Sequence, residues 1–113
     1  TELYMLPQLP EPIAGYFSTA KSADQITIMR HFSPDAVVID ENRSHRGHAA
    51  IQLWMDESAK KYSFVAEPFD VTDEGTVTVV TAHVTGNFPG SPVDLRYRFA
   101  LDGDKIASLE IGA

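Results

Sequence analysis

The stretch F-S-P-D-A-V-V-I-D, from Phe32 to Asp40, decides how this chain is read. Pro34 stops any helix that precedes it, because proline pushes the residue before it out of the helical region. Val37, Val38 and Ile39 are β-branched, so Ala36 to Asp40 is a strand. A carboxylate that closes an apolar strand has little intrinsic reason to be there. One reading is structural: Asp40 accepts hydrogen bonds from a turn over Glu41 to Ser44. The other is chemical: an apolar cavity raises the carboxyl pKa toward the working pH and makes Asp40 a usable base.

Upstream of the strand, residues 1 to 12 hold three prolines and read as an extended lead-in. Pro12 suits the first turn of a helix. Ile13, Phe17 and Ala20 then recur at helical spacing with Tyr16 beside them, which predicts a helix from about Pro10 to Lys21. Ser22 or Asp24 caps a second short helix through Ile26, Met29 and His31. Downstream, Ser44 to Arg46 forms a return strand before Gly47. His48 to about Lys60 is a third helix, with Ile51, Trp54, Met55 and Ser58 on one face.

The period then changes to two. Tyr62 to Thr72 is a strand interrupted by Pro68, which marks an edge or a bulge. Asp73-Glu74-Gly75 is a hairpin turn leading into Thr76 to Gly86. Asn87 to Pro92 is a loop. In the next strand Val93, Leu95, Tyr97, Phe99 and Leu101 share one face, while Asp94, Arg96 and Arg98 share the other. Asp102-Gly103-Asp104 turns the chain into Ile106 to Ile111. Helices first and a bent antiparallel sheet after them make an α+β domain with helices on one sheet face.

Composition narrows the function classes. The 113 residues fit one domain, 1-113, and 43% hydrophobic content suffices for a core. The formal charge is −7 and the nine basic residues are scattered. No positive patch that would displace counterions from phosphates is readable, so nucleic acid is not an expected partner. No apolar run reaches the roughly 20 residues a membrane span needs. No signal peptide is visible, which makes the cytoplasm the default compartment, although a segment upstream of Thr1 stays open. With no cysteine there is no disulfide, thiolate nucleophile or cysteine-bound zinc.

This order of elements resembles the nuclear transport factor 2-like superfamily. The residues that carry the resemblance are Y-F-S-T-A-K-S-A-D from Tyr16 to Asp24, the stretch from Phe32 to Asp40, R-G-H-A-A-I-Q-L-W from Arg46 to Trp54, and the closing F-A-L-D-G-D-K-I-A-S-L-E-I from Phe99 to Ile111. Within the superfamily the chain is similar to the SnoaL-like branch of small polyketide cyclases and to the ketosteroid isomerase-like branch. The resemblance implies a cone-shaped fold, with three N-terminal helices packed on a strongly curved antiparallel sheet. It also implies roles: a first-helix tyrosine that donates to the substrate oxygen, matched by Tyr16, and a strand-end aspartate that shuttles the proton, matched by Asp40. The isomerase's third element, a protonated aspartate on the penultimate strand, falls at or near Leu95, with Asp94 on the opposite face. Pairing into a homodimer through the sheet is implied in the same way.

The other candidates carry two readings each. Tyr16 is either an oxyanion donor or a core tyrosine whose hydroxyl reaches a carbonyl. His83 shares a strand face with Val77, Val79, Thr81 and Thr85. It joins the cavity if that face is concave and otherwise lies on the outer sheet face or in a subunit contact; parity does not say which. His45 and His48 have a metal-like spacing but no third ligand, so no metal site is expected. Arg43 and Arg46 either greet an anionic group or pair on the surface with Glu41 and Glu57. Phe17, Trp54, Phe88, Leu95 and Tyr97 are candidate walls of a ligand pocket, or simply core.

The expected ligand is a small apolar molecule with a carbonyl or hydroxyl group. As an enzyme the protein would be a cofactor-independent isomerase or cyclase, with Asp40 as base and Tyr16, joined by His83, at the enolate oxygen. The alternative is a non-catalytic ligand-binding or protein-interaction module of the same shape. Epoxide hydrolysis by an activated water would need more polar partners than the sequence places.

Overall fold

The computed structural model describes residues 9–22 and 28–113. Helix α1 spans Glu11–Ser22 and helix α2 spans His48–Lys61. The middle helix expected from Ser22 to His31 falls largely on residues 23–27, outside the described residues; Ile28 and Met29 are helical and lead into a turn. The strands are β1 (Phe32–Asp40), β2 (Arg43–Arg46), β3 (Phe64–Asp73), β4 (Val77–Gly86), β5 (Val93–Asp102) and β6 (Lys105–Gly112). They form one six-stranded sheet in the order β2-β1-β6-β5-β4-β3.

The sheet is mixed, where a fully antiparallel one was expected. β1 and β6 run parallel, with Val38 opposite Leu109 and Asp40 opposite Ile111, while every other pair is antiparallel. The reason is topological. Each hairpin reverses direction, but β1 and β6 meet across the whole meander, so no tight turn dictates their sense. Register shifts lie between Phe32 and Val37, between Pro68 and Asp70, and between Ala100 and Leu101. Shifts of this kind bend strands. Pro68 sits both on the edge strand and at its irregularity, where a missing N–H costs least.

Strand alternation places the core. Val80, Ala82 and Val84 of β4 and Tyr97 and Phe99 of β5 are buried on the face that receives Ile13, Tyr16 and Phe17 of α1. Phe32, Ala36 and Val38 of β1, Ile51 of α2, and Ile106 and Leu109 of β6 complete it. Helix α1 lies close at Gly15, where an added Cβ would collide with the imidazole of His31. The backbone there is anchored, since the Ile106 amide donates to the His31 carbonyl at 2.6 Å. Gly15→Ala would gain about 1 kcal/mol of helix propensity but overpack this contact at about 1–3 kcal/mol. A net loss of stability is the expected result in urea unfolding.

The β1–β2 hairpin turns on Glu41 and Asn42, both left-handed at φ 53° and 63°. This is the primed geometry that two-residue hairpins favour. Asn tolerates it; Glu does so at some cost, immediately beside Asp40.

Candidate functional site

Between the α1–α2 side and the sheet lies a cavity of about 810 Å3, within the range of small-molecule sites. Tyr16 and Phe17 of α1, Asp40 of β1, Trp54 and Met55 of α2, Leu95 and Tyr97 of β5, and Phe88 of the β4–β5 loop all line it. Phe64 and Val65 line it too and are exposed, so they form the rim of its mouth. The rim is fixed by two hydrogen bonds between Ser63 and Asn87. The Ser63 amide donates to Asn87 Oδ1 at 2.8 Å, and the Asn87 amide returns a bond to the Ser63 carbonyl at 3.1 Å. That pairing sets Phe88 against Tyr62, with ring centroids 6.2 Å apart.

Asp40 ends β1 as a half-buried side chain. The indole N–H of Trp54 donates to its Oδ2 at 3.0 Å. Burial raises the Asp40 carboxyl above the ordinary carboxylate range, and the charge of Glu41 adds to the rise. The Trp54 hydrogen bond, His45 and the Glu41 amide work against it, but burial wins. The sequence placed Trp54 on the correct helix face without revealing this bond. The signal available was its position on the stripe with Ile51, Met55 and Ser58, packed beside the strand that carries Asp40.

Tyr16 is 7% exposed and sits in an aromatic nest. Its ring meets Phe17, Phe32 and Phe99 edge-on with centroids 5.2, 6.0 and 5.7 Å away. Tyr97 lies 6.4 Å away, tilted. Burial pushes the Tyr16 hydroxyl well above its usual value, with Tyr97 and then Asp40 adding to the effect. Burial, with Asp40 behind it, pushes Tyr97 up to about 12. Both phenols therefore keep their protons near neutral pH and can donate. Tyr97 was expected only as a wall; its hydroxyl adds a second buried phenol to this lining, beside that of Tyr16.

His83 does not join them. It stands on the other face of β4 from Val80, Ala82 and Val84. Its Nδ1 lies 2.8 Å from Asp94 Oδ1, with the two side chains 48% and 56% exposed. The two residues are cross-strand partners, so Asp94 faces outward with it. Val80, Ala82 and Val84 pack into the core with α1, so His83 lies on the opposite face of the sheet. Leu95, at the position where the resemblance implied an acid, lines the cavity.

His45 and His48 diverge. The His45 ring lies 6.0 Å from the Trp54 ring. His48 Nε2 lies 3.0 Å from the Phe32 carbonyl and 3.1 Å from that of Ser33, pinning the start of α2 to the start of β1. Among the described residues no cluster of three or more metal-ligating side chains occurs. Nor is any helix among them long and apolar enough to cross a membrane.

No protein-family model matches the chain, and no curated protein matches it significantly. Solved structures do. The chain is similar to a candidate polyketide cyclase from Sinorhizobium meliloti, with 42% identity, a TM-score of 0.89, and 92% of this chain covering 95% of that one. A protein of ketosteroid isomerase-like fold from Catenulispora acidiphila, in complex with trimethylamine, aligns with a TM-score of 0.80 at 14% identity, over 94% of this chain and 87% of that one. A nuclear transport factor 2-like protein from Burkholderia xenovorans aligns with a TM-score of 0.75 at 16% identity, over 90% and 86%. At such identities the last two speak for the fold alone.

Proposed function

Since this chain belongs to the nuclear transport factor 2-like superfamily, in its SnoaL-like and ketosteroid isomerase-like branch, we propose that it binds a small apolar carbonyl compound and moves a proton beside that carbonyl. The observation that carries this reading is the company Asp40 keeps. A carboxyl raised by burial and held by an indole opens onto the same cavity as the buried phenols of Tyr16 and Tyr97.

In this mechanism the Asp40 carboxylate removes a proton from the carbon next to the carbonyl. Electrons move into the carbonyl oxygen, and Tyr16, with Tyr97 beside it, donates hydrogen bonds to the oxyanion that forms. Tyr97 takes the part that the sequence had offered to His83. Protonated Asp40 then returns the proton to another carbon, which gives an isomer; or the enolate carbon attacks a second carbonyl of the same molecule and protonated Asp40 gives its proton to the alkoxide that forms, which gives a ring. The likeness to a candidate polyketide cyclase favours the second outcome. The proton is borrowed and returned, so the chemistry calls for no cofactor. A non-catalytic pocket protein is the competing reading, and Leu95 in place of a third acid is what favours it.

Deuterium exchange tests the proposal directly. In deuterated buffer the protein should label the carbons flanking the carbonyl of β-tetralone faster than buffer alone, as followed by NMR. Binding without exchange, across a set of neutral cyclic ketones, would favour the non-catalytic reading. Trp54→Phe refines the test. It takes away the bond that orients the Asp40 carboxyl, so exchange on the acid side of the profile should slow. It also removes an influence that lowers the Asp40 pKa, so the rise of rate with pH should move to higher pH. A Trp54 that only fills space would leave that limb in place.

A further inference from the structure

A second cavity of about 470 Å3 adjoins the first, and Asp40, Glu41, Trp54, Ser58 and Tyr62 line both. Its remaining walls are Arg43, His45, Glu57, Lys60 and Lys61. We infer that this second cavity is an anion-binding vestibule, which receives a carboxylate or similar acidic substituent of the molecule whose apolar body fills the larger space. The inference rests on the proposed function, since it specifies what the same site accepts.

Three observations carry it. The chain has a net charge of −7 and only nine Lys and Arg residues, yet three of the nine line this one space. They arrive from separate elements, Arg43 from β2 and the two lysines from the last turn of α2, so a single helix end does not account for them. Nor are they consumed by pairing. Among the described residues none of the three lies within 4 Å of a carboxylate oxygen; Lys61 Nζ sits 5.9 Å from the Tyr62 ring centre. Asp40, Glu41 and Glu57 share the space, so three cations face three carboxylates and the lining is balanced in a chain that is acidic as a whole. An acidic substituent beside Asp40 would be repelled by that carboxylate. Cations on the far wall are what make its approach tolerable. Arg43 is the cross-strand partner of Asp40, so its position is tied to that of the base.

A matched pair of fluorescent probes tests the inference. Anilinonaphthalene sulfonate and the neutral phenylnaphthylamine differ by one sulfonate group. Both report through their own emission and through quenching of Trp54, the single tryptophan of the chain. The wild-type protein should bind the sulfonate roughly tenfold more tightly, as expected for two or three partly screened ion pairs. The preference should shrink as salt is raised. The triple variant Arg43→Gln, Lys60→Gln, Lys61→Gln changes only exposed side chains. It should lose the preference and keep its affinity for the neutral probe. If the neutral probe binds but the wild type shows no preference, or the variant retains it, the vestibule is refuted and the apolar pocket stands. If neither probe binds, the pocket reading falls and takes the vestibule with it.

Discussion

Asp40→Asn is expected to lower turnover by about 10²–10⁴-fold, the usual contribution of a positioned general base. The substitution keeps the size of the side chain and an oxygen to accept the Trp54 indole hydrogen. It removes only the ability to hold a proton. Its effect on stability should run the other way. The native Asp40 pKa is raised, so the folded protein binds this proton more tightly than the unfolded chain does. The stability it contributes is whole below the unfolded-state pKa. It is lost progressively as pH rises toward the folded-state value and stays lost above it. At neutral pH the ionised, half-buried carboxylate is therefore a liability, and Asn, which does not ionise, escapes it. Asp40→Asn should be the more stable protein at neutral pH, with its advantage fading once the solution is acidified below the ordinary carboxylate range. Thermal melts across pH, set beside exchange or turnover rates, check both halves. Full activity in the variant would remove Asp40 from the chemistry. A loss of stability at neutral pH would mean that burial does not govern its titration.

Tyr16→Phe is the second large effect. One well-placed donor to an oxyanion is worth about 2.7–4 kcal/mol, or roughly 10²–10³ in kcat. The ring contacts to Phe17, Phe32 and Phe99 do not involve the hydroxyl, so the aromatic nest should survive. The loss should fall on kcat more than on KM, because the hydrogen bond tightens as charge builds on the oxygen. Tyr97→Phe provides the control. If both phenols serve one oxygen, the double variant will fall short of, or exceed, the sum of the single effects, since groups sharing a partner couple. An unchanged kcat in Tyr16→Phe, with Tyr97 intact, would return Tyr16 to the core.

The parts legible in the sequence are those governed by local period and turn chemistry. The alternation of Val93, Leu95, Tyr97 and Phe99 against Asp94, Arg96 and Arg98 placed β5 and its inner face, because a strand permits no other division. Pro68 marked both the edge and the irregularity of β3. The parts that were not legible depend on contacts between distant elements. The parity of β4 grouped His83 with Val79 and Thr81 correctly but left the concave side undecided, and the answer came from α1 packing on Val80, Ala82 and Val84. The bond from Trp54 to Asp40 joins α2 to β1, and no spacing rule connects an indole to a carboxylate across that gap. The parallel meeting of β1 and β6 is another such contact, and helical periodicity is silent on it.

That parallel joint ties the corner around Asp40 to the C-terminal strand. Asp40 stands opposite Ile111, and Ile111 and Gly112 also contribute to the cavity wall. The strand that carries Asp40 is thus completed by the last strand of the chain, a pairing of long sequence separation of the kind that slows folding. Fraying of the final strand would open the β5–β6 pairing and strip Asp40 of its neighbour while leaving the other hairpins. Under the proposed reaction, a chain that has not closed this seam lacks the wall beside Asp40.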